Sequence, residues 1–145
     1  MAVLSPGLTY EKRFVVREED TAAFLGSGGV AVLATPVMIA WMENVARLAI
    51  EERLPEGQTT VGTRVDVRHL RPAPLGARVT VRVELIEVRG RWLRFRVEAR
   101  LGDQVVGEGM HERYVVDLQK FMNLSLIHIS EPTRPRLISY AVFCL

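Results

Sequence analysis

Cysteine is almost missing from this chain of 145 residues: the single one, Cys144, stands next to the C-terminal leucine. That scarcity excludes a disulfide framework, a thiolate metal site and a cysteine nucleophile from the body of the chain. Lysine is nearly absent too, with only Lys12 and Lys120, and 19 basic residues against 17 acidic ones leave a formal charge of +2. Such a balance is no electrostatic footprint for nucleic acid. Long apolar runs are also lacking. The longest, residues 30–42, falls short of the roughly 20 residues that cross a bilayer. The first residues, Met1-Ala-Val-Leu-Ser-Pro6, carry neither a basic region nor a long apolar core, so no secretory signal is expected. These absences predict a soluble cytoplasmic protein with no metal, no nucleic-acid partner and no membrane partner.

The last 22 residues stand apart from the rest. Residues 124–134 and 138–145, with Pro135-Arg136-Leu137 between them, resemble the conceptual translation of a sequencing-library adapter with a sample index in its middle. A segment of that kind is set aside from fold reasoning. The expected division is therefore a domain over residues 1–123 and an artefact tail over 124–145, with the natural sequence continuing differently past Asn123. Cys144 and His128 leave the functional argument with the tail. The remaining body has 17 basic and 16 acidic residues. It is the size of one domain, but small for an enclosed substrate cavity of its own.

Within the body, residues 8–16 read as a first strand and residues 18–25 as a short helix. Gly26-Ser-Gly-Gly29 follows as a flexible loop that lacks the spacing of phosphate-binding motifs. A long helix is predicted over residues 37–53, with Thr35 as its N-cap and Pro36 at its first position. Four strands are then legible over 60–70, 77–88, 92–101 and 105–117, divided by turn signals at Pro72/Pro74/Gly76, Arg89-Gly90 and Gly102-Asp103. Alternation in the first of these places Val61, Thr63, Val65, Val67 and His69 on one face and Gly62, Arg64, Asp66 and Arg68 on the other.

The long helix contains the strongest chemical signal. Its first two turns, Pro36-Val-Met-Ile-Ala-Trp-Met42, are apolar nearly all round, which predicts a helix wrapped by protein. Glu43 follows, where a charge is costly unless it is paired or working.

The order β-α-β-β-β-β describes an α+β protein whose antiparallel sheet curls around a central helix. Ala34-Thr35-Pro36 leading to Met42-Glu43, the strand Thr60-Val-Gly62-Thr63 through His69, and the run Gly107-Glu-Gly109-Met-His111-Glu112-Arg113 together resemble the hotdog fold. Within it they resemble the fluoroacetyl-CoA-thioesterase-like acyl-CoA thioesterases, over residues 8–121. The resemblance implies Thr35, Glu43 and His69 as a catalytic set, a backbone contact to the thioester carbonyl near Gly62, and a coenzyme A contact at Arg113. It implies an acyl-CoA substrate, no cofactor, and a homodimer or higher homo-oligomer that closes the acyl pocket. Fluoroacetyl-specific members carry an aromatic lid before the threonine. Here Gly28-Gly29-Val30 stands in that place, with Phe24 and Leu25 the nearest bulky side chains, so a short or medium acyl group is expected instead.

Thioester cleavage needs an activated nucleophile, a stabilised oxyanion and a proton for the leaving thiolate. His69 can move protons near neutral pH, and Glu43 can orient it or act as base or nucleophile. Thr35 and Glu43, eight residues apart on one helix, stand about 12 Å apart along its axis and cannot touch. Either an imidazole bridges them or two protomers share the site. Each residue also has a structural reading: Thr35 as a cap, Glu43 as a buried acid paired with arginine, His69 as a strand-end histidine, Arg113 as a surface partner of Glu112. His111, on Arg113's strand face, reads as solvent-exposed. Two other functions are to be weighed, a hotdog enoyl-CoA hydratase or dehydratase, whose aspartate-histidine and asparagine-proline motif is not found, and a non-catalytic acyl-CoA sensor.

Overall fold

A computed structural model describes the backbone of residues 4–129 and the side chains of residues 4–123. The last 16 residues, including Cys144, lie outside the described residues.

Five antiparallel strands form one sheet in the order β1-β3-β4-β5-β2. They are β1 (Thr9–Val15), β2 (Gln58–His69), β3 (Arg78–Arg89), β4 (Trp92–Leu101) and β5 (Gln104–Asp117). Tight turns at Gly90 and Gly102, both at positive φ, close the β3–β4 and β4–β5 hairpins; an L side chain there would be strained. Each inner strand buries alternate residues. Val79, Val81, Val83 and Leu85 of β3 and Leu93, Phe95, Val97 and Ala99 of β4 are all fully buried, while Arg82, Arg96 and Arg100 face solvent.

The long helix α2 (Thr35–Glu51) crosses this apolar face. Met38, Met42, Val45, Ala46 and Ile50 make its buried stripe, spaced at three and four residues, as one face of a helix requires. Truncating a side chain at the centre of this layer, such as Phe95, costs about 3–5 kcal/mol. Trp41 lies beside the stripe, its ring stacked on Phe14 of β1 with centroids 4.5 Å apart. No helix among the described residues is long and apolar enough to cross a membrane.

Several local expectations change. The region 18–25 is not one helix: a single 3-10 turn (Glu18–Asp20) precedes α1 (Ala22–Leu25). Thr21 is extended between them, and its hydroxyl accepts from the Phe24 N–H, so a helix ends and another begins at one residue. The chain from Gly26 to Ala34 is then fastened to the body by Leu33 N–H to the Ala73 carbonyl at 2.7 Å and Ala34 N–H to the Asp20 carbonyl at 2.9 Å. A third helix, α3 (Leu118–Ile129), begins directly after β5. It runs past Asn123, so the helical backbone continues across the expected domain boundary.

In β2 the simple two-face alternation fails. Its pairing with β5 shifts between Gly62 and Arg64, leaving Thr63 as a bulge. One extra residue reverses the facing of everything after it. Thr60 and Gly62 therefore face the helix before the bulge, and Val65, Val67 and His69 face the same side after it. Gly62 and His69, which strict alternation separates, share one face. Two glycines of β5 oppose this half of β2. A Cβ at Gly109 would overlap the Asp66 carbonyl, and one at Gly107 would stand 2.5 Å from Met38 Sδ, so strand and helix approach β5 as closely as glycine alone permits.

Candidate active site

The first turn of α2 and the last residue of β2 meet. Thr35 Oγ1 and His69 Nδ1 are 2.7 Å apart, a short hydrogen bond between a hydroxyl and an imidazole. Thr35 is not the N-cap. That position belongs to Ala34, without a side-chain bond, and Pro36 follows in the first turn. The threonine hydroxyl is thus released from capping and given to the histidine. Burial holds the His69 pKa below its ordinary value, a backbone group of Arg71 pulling the other way, so the ring is neutral at neutral pH. Its Nε2 is buried without a hydrogen-bond partner.

Both side chains open on a cavity of about 590 Å³, lined near them by Ala34, Pro36 and Leu70 and further out by Ser27, Gly28 and Val30. The positive end of the α2 dipole points into it, an environment that favours a developing anion.

Glu43 lies two turns further along α2, among a different set of residues. A Cβ placed on Gly62 would stand 2.9 Å from Glu43 Oε2, 3.2 Å from His111 Cε1 and 3.4 Å from Arg113 Nη1. These three side chains therefore converge over one glycine, whose missing methyl makes the room. Burial raises the Glu43 pKa, and the charge of Arg113 lowers it in part.

Arg113 and His111 are not where the sequence suggested. Each is only 1% exposed. Arg113 donates through Nε to Thr60 Oγ1 at 2.8 Å and through Nη2 to the Thr60 carbonyl at 2.9 Å. Glu112 receives Trp92 Nε1 at 3.1 Å and lies 3.7 Å from Arg64 Nη1. The guanidinium is turned inward beside Glu43, which makes it a buried charge partner and not a surface hook for a coenzyme phosphate. A signal for this was present in β5: Val115, Arg113, His111, Gly109 and Gly107 alternate on one face, and the apolar residue at one end and the glycines at the other mark that face as the packed one.

Within one chain the candidate residues thus form two groups. Thr35 and His69 make the first; Glu43, Gly62 and Arg113 make the second, joined by His111 and Thr60, which sequence reasoning left out. Six strand residues, roughly 20 Å of extended chain, separate Gly62 from His69. Among the described residues no cluster of three or more potential metal ligands occurs.

A single antiparallel sheet wrapped on one long helix, with a threonine-histidine pair at that helix's start, defines a hotdog-fold protein of the thioesterase type. The model of the fluoroacetyl-CoA-specific thioesterase family matches residues 16–119, and the chain belongs to that family. The fluoroacetyl-CoA thioesterase of Streptantibioticus cattleyicolor is 41% identical over 90 residues, 62% of this chain. The chain spans about two thirds, 65%, of that relative's length. A solved fluoroacetyl-CoA thioesterase is 32% identical with a TM-score of 0.80, over 90% of this chain and 99% of its own. A thioesterase superfamily member from Thermus thermophilus is 31% identical with a TM-score of 0.79, over 90% of this chain and all of its own.

Proposed function

We propose that the protein hydrolyses the thioester of a short or medium acyl-CoA, releasing the free acid and coenzyme A, and that it does so as a cytoplasmic homodimer. The Thr35–His69 hydrogen bond at the mouth of the cavity carries this reading. Membership of the family supports it, as does a relative solved with fluoroacetate and CoA, 35% identical over 81% of this chain and with a TM-score of 0.77.

In this mechanism His69 Nδ1 accepts the Thr35 hydroxyl proton as the oxygen attacks the thioester carbonyl. The positive end of α2 stabilises the oxyanion, and the proton passes to the coenzyme A sulfur as the C–S bond breaks. Water then attacks the acyl carbonyl, giving its proton to Glu43, and that proton returns to the Thr35 oxygen as the ester bond breaks and the free acid leaves. Gly62 offers backbone to the acyl carbonyl, and the charge of Arg113 offsets part of the burial that raises the Glu43 pKa. Small residues in the outer cavity, Ser27, Gly28 and Val30, leave room for chains longer than acetyl.

The separation of the two groups supports the dimer. β2 is a long sheet edge with unpaired backbone, and Val65 in its middle is 38% exposed, the kind of edge that another strand completes. Antiparallel pairing of two β2 strands about a two-fold axis near Val65 brings Gly62 and Glu43 of one protomer close to the partner's His69 and Thr35. Release of free thiol over a panel from acetyl-CoA to octanoyl-CoA tests the activity. No release above background from any member would overturn it.

A further inference from the structure

The His111–Arg113 pair behind Gly62 takes no bond-making part in the reaction above, yet it is buried and held by four hydrogen bonds. Arg113 is always protonated, so its Nη1 must be the donor to His111 Nε2, 3.1 Å away. A nitrogen that accepts carries no hydrogen. The ring hydrogen therefore sits on Nδ1 and is donated to the Arg64 carbonyl at 2.8 Å. One tautomer, neutral and with both nitrogens in use, satisfies the site.

These bonds hold β2 on either side of Gly62. Arg113 grips the Thr60 side chain and carbonyl before it, and His111 grips the Arg64 carbonyl just after the bulge. Glu43 rests on the glycine between them. We propose that His111 is a positioning residue for Glu43: by accepting from Nη1 it turns the Arg113 guanidinium toward the carboxylate, and by bonding Arg64 it fixes the bulged backbone under it.

The charged groups that face this imidazole are Glu43 from α2 and Arg113 from its own strand. β2 adds Thr60, Gly62 and Val65, the last paired directly with His111, with His69 further along the same face, and the inward residues of β4 are apolar. Burial, with Arg113 beside it, pushes the His111 pKa down to about 4 against the pull of the Arg64 carbonyl, so the ring remains an acceptor across the working range. Without that acceptor the guanidinium keeps its Thr60 bonds through Nε and Nη2 and loses the bond that His111 makes to Nη1. The charge that offsets the burial of Glu43 is then less closely aimed at it.

The inference rests on the thioesterase reading only for Glu43's part in the reaction; the titration of Glu43 is measured independently by carboxyl-carbon NMR. In His111→Gln the amide oxygen can take the place of Nε2 and still accept from Arg113. In His111→Asn the shorter amide can take the place of Nδ1 and reach Arg64 alone. We expect the Glu43 midpoint to stay near wild type in the glutamine variant. In the asparagine variant it should rise by about one pH unit, the size of a lost neighbouring charge, with the acid limb of kcat/KM rising in step. Equal midpoints in both variants, or the larger shift in the glutamine variant, would overturn the proposal. If His111→Asn fails to fold, nitrogen NMR of the wild-type imidazole at about pH 6 decides: a ring protonated at Nε2 overturns it. A wild type without thiol release sinks the hydrolase reading and leaves these titrations to judge the positioning.

Discussion

Thr35 Oγ1 and His69 Nδ1, from the start of a helix and the end of a strand, stand 2.7 Å apart. In the proposed mechanism a hydroxyl that no longer caps its helix and an imidazole kept neutral by burial act as nucleophile and base, so Thr35→Ala and His69→Ala should each lower kcat by roughly 10² to 10⁴ fold. Thermal unfolding should change little for Thr35→Ala, since no cap bond is lost. Steady-state thiol release beside a melting curve checks both; loss below threefold in the two variants removes the catalytic assignment.

Glu43→Gln and His69→Ala, each inactive alone, should recover activity when unfolded and refolded together. In a site built from Glu43 of one protomer and His69 of its partner, half of the mixed dimer's sites keep both residues. Sedimentation must show dimers at assay concentration. A fully active monomer would remove the shared site.

Gly62→Ala and Gly109→Ala should fail in different ways. The added methyl at 62 meets side-chain ends, Glu43 Oε2 at 2.9 Å first, which can shift. Turnover should fall at least tenfold while the fold survives, a loss of positioning and not of packing. At 109 the methyl meets the Asp66 backbone. β2 must then leave β5, and a fall of several degrees in Tm is expected.

Acid should weaken the fold earlier than carboxylate titration alone predicts. His111 has a folded pKa of about 4 against an ordinary value of 6.5, so between these pH values the unfolded chain binds more protons. Its contribution is fully present above pH 6.5 and is lost as pH falls toward 4, on the order of 3 kcal/mol in all. Denaturant unfolding from pH 7 down should show this slope in wild type and a flatter one in His111→Gln. Equal slopes would contradict a buried neutral ring.

Cutting the chain after Asn123 should leave fold and activity intact, because every side chain assigned to the site precedes it. The cut falls within α3, so a few residues of helix signal are lost. Circular dichroism and thiol release on the shortened chain check this; failure to fold would show that the residues after Asn123 belong to the domain.

Much of this architecture was legible beforehand. Apolar residues at helical spacing marked α2, alternation marked β3 and β4, and Glu43 in an apolar helix stood out by its desolvation cost. The bulge at Thr63 was not legible, because an ordinary threonine in a threonine-rich strand carries no sign of an extra residue. With it the facing of Gly62 and His69 was misjudged. Arg113 was misread for a related reason: a neighbouring glutamate suggests a surface pair, whereas of the partners that allow a guanidinium to be buried, Thr60 comes from pairing across the sheet and His111 from the same face of its own strand. Thr35 looked like a cap because threonine before proline usually is one. Only the position of His69 shows what else its hydroxyl can do.

Met38 stands one turn along the helix from Thr35, and its sulfur fills the space over Gly107, the residue paired with His69. That sulfur is a spacer. It sets how near the helix rides to the strand, and so the gap between Thr35 and His69. Reaction rate in this fold can therefore be tuned from the core: by thickening or thinning one contact between a methionine and a glycine, with every reacting group left in place.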